Sequence, residues 1–152
     1  MAIHIKTPEE IAGLRIAGRL ASELLDYLTP FVKPGITCIS INHVVCHGIP
    51  GEKKLKHGDI VNIDVTSIKA GFHGDTSRMF VVGKPTIAGK RLCDLAFKTM
   101  WAGIEAVRPG GTFNDIGVAC QAFADKNGIS VVRDYGGHGI GRGFHEEPHV
   151  HH

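Results

Sequence analysis

The chain has 152 residues, the usual size of one folded domain, and its 43% hydrophobic and 21% charged residues are typical of an ordinary globular protein. The formal net charge is only +2 and the Lys and Arg residues are scattered, so we expect no nucleic-acid partner. The N-terminus lacks the apolar core of a secretion signal, and no run approaches the roughly 18 apolar residues of a membrane span. A cytoplasmic protein is therefore expected.

The first predicted element is a long helix that begins at Pro8. Thr7 can cap this helix, Pro8 suits its first position, and Glu10 stands where a capping box needs an acceptor. Apolar residues then recur at three- and four-residue intervals and end before Pro30. We expect this helix to lie on the core through one stripe, formed by Ile11, Leu14, Ala17, Ala21, Leu24, Leu25 and Leu28.

A strand hairpin is predicted next, and it carries two acidic candidates. Residues 38–41 are a short strand candidate, whereas residues 59–67 alternate strictly between apolar and polar side chains. A turn around residues 69–71 leads to a second strand over residues 72–82. Asp64 and Asp75 lie at similar distances from this turn, so we expect them to be directly opposite or offset by one. Two bare carboxylates so close would repel each other, and a bound cation would remove that penalty.

The second half predicts helices over residues 86–107 and 114–126, and then a strand over residues 130–135 that leads to a glycine-rich segment containing His138. Carboxylate oxygens together with an imidazole are typical ligands of Mn, Fe, Co or Zn. The chain therefore predicts metal-assisted hydrolysis. Residues 139–143 superficially resemble a nucleotide-binding glycine loop, but no helix start follows them, so we expect no dinucleotide site.

A short sequence occurs twice, each time at the end of a predicted helix. Residues 32–37 read VKPGIT and residues 107–112 read VRPGGT. In the second half this signal leads into another helix and then a strand, whereas in the first half it leads directly into the strand at residues 38–41. The pattern predicts two related halves, with one helix missing from the first.

Five blocks of the chain resemble type I, bacterial-type methionine aminopeptidases in their order and local spacing. They cover nearly the whole chain: residues 5–9, 40–50, 58–65, 72–77 and 137–148. The resemblance implies an α+β protein with the pita-bread fold, in which helices cover one face of a curved antiparallel sheet. It also implies a cytoplasmic enzyme that removes the initiator methionine from nascent proteins, with two divalent ions (Co, Mn, Fe or Zn) in the intact site.

Five residues correspond to functional positions of that family. The resemblance implies that Asp64, Asp75 and His138 are metal ligands, with Asp75 bridging two ions. It also implies that His47 and His145 face the substrate and hydrogen-bond around the scissile amide. The expected partner is the N-terminus of a peptide or nascent chain, with ribosome association as a further expectation and no membrane.

Two departures from the family pattern leave a second function open. A helix and a substrate-pocket segment are absent between Thr37 and Cys38, and the two C-terminal glutamates of the family's metal site have no counterpart before His152. We therefore expect one incomplete pita-bread domain over residues 1–152, which can self-associate through exposed sheet edges. The alternative function is a non-catalytic remnant or binding module without a complete metal site.

Overall fold

The computed structural model describes residues 3–35, 40–49 and 51–151, which divide into two compact units. One unit comprises residues 6–93, and the other comprises residues 94–152 together with the first five residues. Throughout the described ranges, no helix has the combination of length and hydropathy that a membrane span requires.

Helix α1, Pro8–Leu28, begins as its sequence predicts. The hydroxyl of Thr7 accepts a hydrogen bond from the Glu10 backbone N–H at 3.2 Å, and the Glu10 carboxylate accepts one from the Thr7 N–H at 2.9 Å. This reciprocal pair satisfies two backbone donors that a helix start leaves without intrahelical acceptors. The helix is followed by a 3-10 turn, Thr29–Phe31.

The core face of α1 is narrower than its sequence predicts. Ala17, Ala21 and Leu25 are buried, but Ile11 and Leu24 are exposed, so their assignment to the core stripe is wrong. Successive helical residues point about 100° apart. Leu24 therefore cannot share the direction of the fully buried Leu25, and it belongs to a second apolar face.

Three antiparallel strands form the sheet of the unit that comprises residues 6–93, in the order β1-β2-β3. They are β1, Ser40–Ile41, β2, Ile60–Lys69, and β3, Phe72–Val81. The first half of the strand predicted over residues 38–41 lies outside the described residues. Ala70 and Gly71 alone join β2 to β3, with φ angles of 52° and 78°. Two successive positive φ angles are typical of a tight hairpin turn whose twist matches that of its strands.

Helix α1 packs against one face of this hairpin at very close range. The Ser67 hydroxyl donates a hydrogen bond to the Ala17 carbonyl oxygen at 2.9 Å, and a Cβ added at Gly74 would overlap the Ala17 backbone. The residues that cluster in the core beside this contact are all buried: Leu25, Ile41, Leu55, Val61, Ile63, Phe80 and Val82. The opposite face of the hairpin is thereby left for polar side chains.

The later elements are α2, Ile87–Glu105, α3, Phe113–Asn127, β4, Gly137–Gly139, and β5, Glu146–Val150. The strand predicted over residues 130–135 is wrong, because the backbone there forms no strand and the pairing falls instead on β4 and β5. An alternating pattern of apolar and polar residues does not form a strand unless a second strand lies beside it to form the hydrogen bonds. The strand β5 after the glycine-rich segment agrees with the expectation that no nucleotide-binding helix follows it.

Helices α2 and α3 pack through a small residue. Gly103 is buried on α2, and a Cβ added there would lie 2.8 Å from the Cys120 sulfur on α3. That thiol donates to the Thr99 carbonyl oxygen at 3.5 Å, and its burial raises the pKa of Cys120. Helix α3 ends at Gly128, which adopts the left-handed conformation with φ 63°.

Candidate metal centre

Asp64 and Asp75 lie on the same face of the β2–β3 hairpin, opposite the face that contacts α1. Asp64 pairs with Ser77, and Asp75 pairs with Thr66. The two carboxylates are therefore offset by two residues, and the prediction that they are directly opposite or offset by one is wrong. An even offset preserves the shared face, because side chains alternate with period two.

The offset follows from the position of the turn. Lys69 pairs with Phe72 across the two-residue turn, so Asp64 lies five residues before its end of the turn and Asp75 three residues after its own. Diagonal neighbours of this kind are separated by about 7 Å, compared with about 5 Å for opposed residues. The carboxylates are far enough apart to accept a cation between them and close enough to interact.

The pKa of Asp64 reports this interaction. Partial burial raises it above its ordinary value, and the negative charge of Asp75 raises it further. The Val65 backbone N–H and the charge of His47 act in the opposite direction. The carboxylate pair is therefore held at an energetic cost in the metal-free chain, which a bound cation would offset.

Polar residues that the sequence interpretation missed lie beside the acidic pair on this face, and one of them orients Asp75. Thr66 donates a hydrogen bond through its hydroxyl to Asp75 Oδ1 at 2.9 Å. Asn62 lies beside Asp64 on the same strand face and donates through its amide to the Ser77 hydroxyl at 3.4 Å. The signal was present, because both residues occupy the polar positions of the alternating strand on either side of Asp64.

His47 lies in the loop after β1 and interacts electrostatically with Asp64. Its φ of 52° is left-handed, a conformation that costs a residue other than glycine about 1 kcal/mol or more. The buried Ser40 hydroxyl accepts a hydrogen bond from the next residue, Gly48, at 3.2 Å. The loop is thus tied to the sheet where it brings the imidazole towards the carboxylates.

A second connection holds the start of this loop against β2. The Asn42 side chain accepts a hydrogen bond from the Ile60 N–H at 3.0 Å and donates one to Asp59 Oδ1 at 2.9 Å. Asp59 also accepts a hydrogen bond from the Lys56 N–H at 2.9 Å. The bond from Asn42 has the larger effect, and together the two bonds lower the pKa of Asp59. Asn42 itself has a left-handed φ of 54°, which an Asn side chain tolerates better than most.

His138 belongs to the other unit, on β4, where it is half-buried. Its Nδ1 lies 2.8 Å from the Gly139 carbonyl oxygen, which can only accept, so in the neutral ring Nδ1 carries the proton. The lone pair is then on Nε2, the state that a metal-ligating imidazole requires. The His138 ring therefore has the chemistry expected of a ligand.

The rings of His138 and His145 are neighbours within this unit. Their centroids are 4.2 Å apart, and the ring of Phe144 lies 4.2 Å from that of His145. The two histidines singled out in the second half of the sequence are thus brought together by the β4–β5 turn. The substrate-facing role of His145 stays a prediction.

The predicted ligands are two carboxylates and one imidazole, which are chemical groups that bind divalent cations. Each unit brings some of the predicted ligands together, the carboxylates on the hairpin and the imidazole on β4. Nowhere in the described ranges do three or more His, Cys, Asp or Glu side chains form a group that could hold a metal ion. The joining of His138 to Asp64 and Asp75 in one coordination sphere stays a prediction.

Two carboxylates on the face of a hairpin whose other face is covered by a helix, with a histidine in the preceding loop, are typical of metal-dependent hydrolases. Residues 15–152 match the model of metallopeptidase family M24. The chain is 51% identical to methionine aminopeptidase from Escherichia coli strain K12 over an alignment of 185 positions, which covers all of this chain and 70% of that protein.

Solved structures agree with the sequence relatives. The methionine aminopeptidase from Rickettsia prowazekii superposes with a TM-score of 0.96 at 46% identity, over 99% of this chain and 73% of that one. The enzyme of that name from Thermotoga maritima superposes with a TM-score of 0.93 at 30% identity. The chain therefore belongs to metallopeptidase family M24. This membership confirms the predicted α+β pita-bread fold and the predicted class of metalloaminopeptidase.

The alignment also bears on the predicted internal deletion. It runs over 185 positions although this chain has 152 residues, so at least 33 positions of the Escherichia coli protein have no counterpart here. The predicted point of deletion, between Thr37 and Cys38, lies outside the described residues. The missing positions agree with the expectation that the chain lacks a segment within the matched region.

Proposed function

We propose that this chain removes N-terminal methionine from nascent proteins in the cytoplasm, using divalent ions held between Asp64, Asp75 and His138. The observation that carries the proposal is the shared face of the two carboxylates, where partial burial and the charge of Asp75 raise the pKa of Asp64. The relatives named methionine aminopeptidase support the substrate class. Co, Mn, Fe and Zn all suit this donor set.

The chain's own residues would divide the work as follows. Asp64, Asp75 and His138 would hold the ions, and Thr66 would orient Asp75 for this by its hydrogen bond. When bound, such ions activate a water molecule and polarise a peptide carbonyl. His47 and His145 would hold the scissile amide in place and stabilise charge as it develops on the carbonyl oxygen.

Calorimetric titration with Mn²⁺, alongside hydrolysis of a Met-Ala-Ser peptide, tests the proposal. We expect chelator-sensitive release of methionine, and Asp75→Asn should lower Mn²⁺ affinity on the order of 10²-fold because it removes the charge of a ligand. Asp134→Asn is the matched control, since Asp134 is an exposed carboxylate that belongs to the other unit. Equal binding and turnover by the Asp75→Asn chain and its parent would show that the site has been wrongly assigned.

The same measurements decide between this activity and the alternative of a non-catalytic binding module. Three of the five ligands implied by the family resemblance lie within this sequence, and ion binding by these three residues alone should be weak. Metal binding without turnover at any Mn²⁺ concentration would favour the binding module.

The proposal extends to two partners. An enzyme that acts on nascent chains meets them at the ribosome, so ribosome association belongs to this function. Self-association through a sheet edge is the second, because β3 pairs with β2 alone among the described strands of its sheet. An edge strand of ten residues offers backbone groups that another chain can pair with.

A further inference from the structure

Helix α1 carries a second apolar face in addition to the one on the core. This outer stripe consists of Ile16, Leu20, Leu24 and Tyr27, which are 57%, 42%, 41% and 66% exposed. Their spacing of four, four and three residues places them along one side of the helix. Phe31 extends the stripe beyond the helix end, where its ring lies 5.5 Å from that of Tyr27. Four large apolar residues in one continuous row are more than the scattered surface residues of a monomer.

The second half of the chain shows what covers a helix in the equivalent position. There the sequence VRPGGT leads into α3, which packs on α2 where Gly103 meets Cys120. In the first half, VKPGIT is followed by β1 after a much shorter segment, since only residues 32–39 separate the 3-10 turn from Ser40, whereas α3 alone has 15 residues. The alignment likewise lacks at least 33 positions of the Escherichia coli protein. Counted back from the repeated sequence, Thr99 and Gly103, which Cys120 contacts, correspond to Leu24 and Leu28 of α1. A helix equivalent to α3 would therefore pack at the C-terminal end of the outer stripe.

The charges beside the stripe indicate what can take that place. Arg15 and Arg19 precede Glu23 along one flank of the outer stripe, so the flank is basic towards the N-terminus and acidic towards the C-terminus. Asp26, on the same side, is already paired with Arg78 at 2.6 Å. A helix with this flank is complementary to an identical helix that runs antiparallel to it, because a two-fold axis then brings unlike charges together.

We propose that the outer stripe of α1 pairs antiparallel with α1 of a second copy of this chain. Leu20 lies at the centre, Ile16 packs against Leu24 of the partner subunit, and Arg19 faces Glu23 of the partner subunit. Such packing is the usual arrangement of antiparallel helices with apolar seams and charged flanks. The contact uses the outer side of α1, so it leaves the carboxylate face of the hairpin open and differs from pairing through the β3 edge.

Sedimentation equilibrium of the whole chain, free of metal and at neutral pH, measures the association directly. We expect a monomer–dimer equilibrium in which Leu20→Glu raises the dimer dissociation constant at least about tenfold, because the buried charge enters the seam twice. Phe97→Glu is the control, since Phe97 is also an exposed apolar side chain but lies in a separate row on α2. A parent chain that stays monomeric up to about 1 mM, where even an association worth 4 kcal/mol is visible, would overturn the proposal.

A charge exchange tests the antiparallel register without touching the apolar seam. Arg19→Glu and Glu23→Arg should each raise the dissociation constant about threefold to tenfold, because each sets like charges opposite each other. An equimolar mixture of the two variants should dimerise at least as well as the parent, since each chain then meets its complement. The double variant should also recover parental affinity.

The outcomes separate the surfaces that could associate. Dimers that survive Leu20→Glu but dissociate on Phe97→Glu, or on a proline substitution in β3, would show that another surface forms the contact and that α1 does not. A mixture of the charge variants that associates no better than each variant alone would exclude the antiparallel pair. Circular dichroism of each variant shows whether it is folded, and because the exchanged residues are exposed, the charge series remains available if Leu20→Glu unfolds.

Discussion

At the scale of single residues, Asp64 shows how a functional side chain can lower the stability of the folded chain when no metal is bound. Its pKa is raised, so the native chain binds a proton there more tightly than the unfolded chain does. The resulting penalty is absent below the unfolded pKa and fully present above the folded one, so stability falls as pH rises through that interval. The cause is partial burial together with the charge of Asp75.

Asp64→Asn should therefore stabilise the metal-free chain at pH 7, with a difference that closes as the pH falls towards 3.8, the ordinary value for an aspartate. Urea unfolding in the presence of a chelator measures it, and Asp134→Asn should change little. Saturating Mn²⁺ should reverse the order, because a ligand at 100 times its dissociation constant stabilises the parent by about 2.7 kcal/mol. An Asp64→Asn chain less stable than its parent at pH 7 without metal would contradict this reading of the pair.

The candidate site residues could be found from the sequence, whereas the hydrogen bonds that hold them in place could not. Asp64, Asp75 and the histidines stand in recognisable blocks with fixed spacing. The bond from Thr66 to Asp75 and the bonds of Asn42 to Ile60 and Asp59 depend on cross-strand pairing and on a left-handed backbone. Neither of these is visible in a pattern of residue types, because many registers share the same alternation.

At the scale of elements, the close approach of α1 to the hairpin depends on a missing side chain. Gly74→Ala should destabilise the chain by about 1–3 kcal/mol, because the new Cβ would overlap the Ala17 backbone and cannot relax by a rotamer change. For a chain of this size each kcal/mol corresponds to about 2–4 °C in Tm, which a thermal melt resolves.

Gly18→Ala is the matched control for this prediction. Gly18 lies inside α1, one residue after Ala17, and a Cβ there would have no atom within 4 Å. Alanine should stabilise the helix by about 0.5–1 kcal/mol through the lower entropy of the unfolded chain. If both substitutions lower Tm equally, close packing of the helix on the hairpin is not the reason for glycine at position 74.

Element prediction succeeded where the signal was local. The capping box of α1 and the hairpin turn each depend on a few adjacent residues, and both are confirmed. It failed over residues 130–135, where the strand needed a distant partner, and on the width of the α1 core stripe. In the sequence, the core-facing and the exposed apolar residues of α1 form a single pattern. They can be told apart only when the surface on which the helix packs is known.

At the scale of the whole molecule, charge should govern solubility. The chain carries a formal charge of +2 with its ten histidines neutral, so the charge approaches +12 when all ten are protonated. Lowering the pH therefore raises the net charge of the chain. We expect solubility in a polyethylene glycol precipitation series to be several-fold higher at pH 5 than near the isoelectric point of about 8.4. A solubility minimum near pH 5 would contradict this expectation.

The two-residue turn between β2 and β3 has a consequence for how such a chain can vary. A single residue inserted at Ala70 or Gly71 that shifted the ladder by one place would turn every β3 side chain to the opposite surface and point Asp75 towards the helix. Insertions and deletions in the codons of this turn would therefore be removed by selection on the function of Asp75, even where the folded backbone tolerates them.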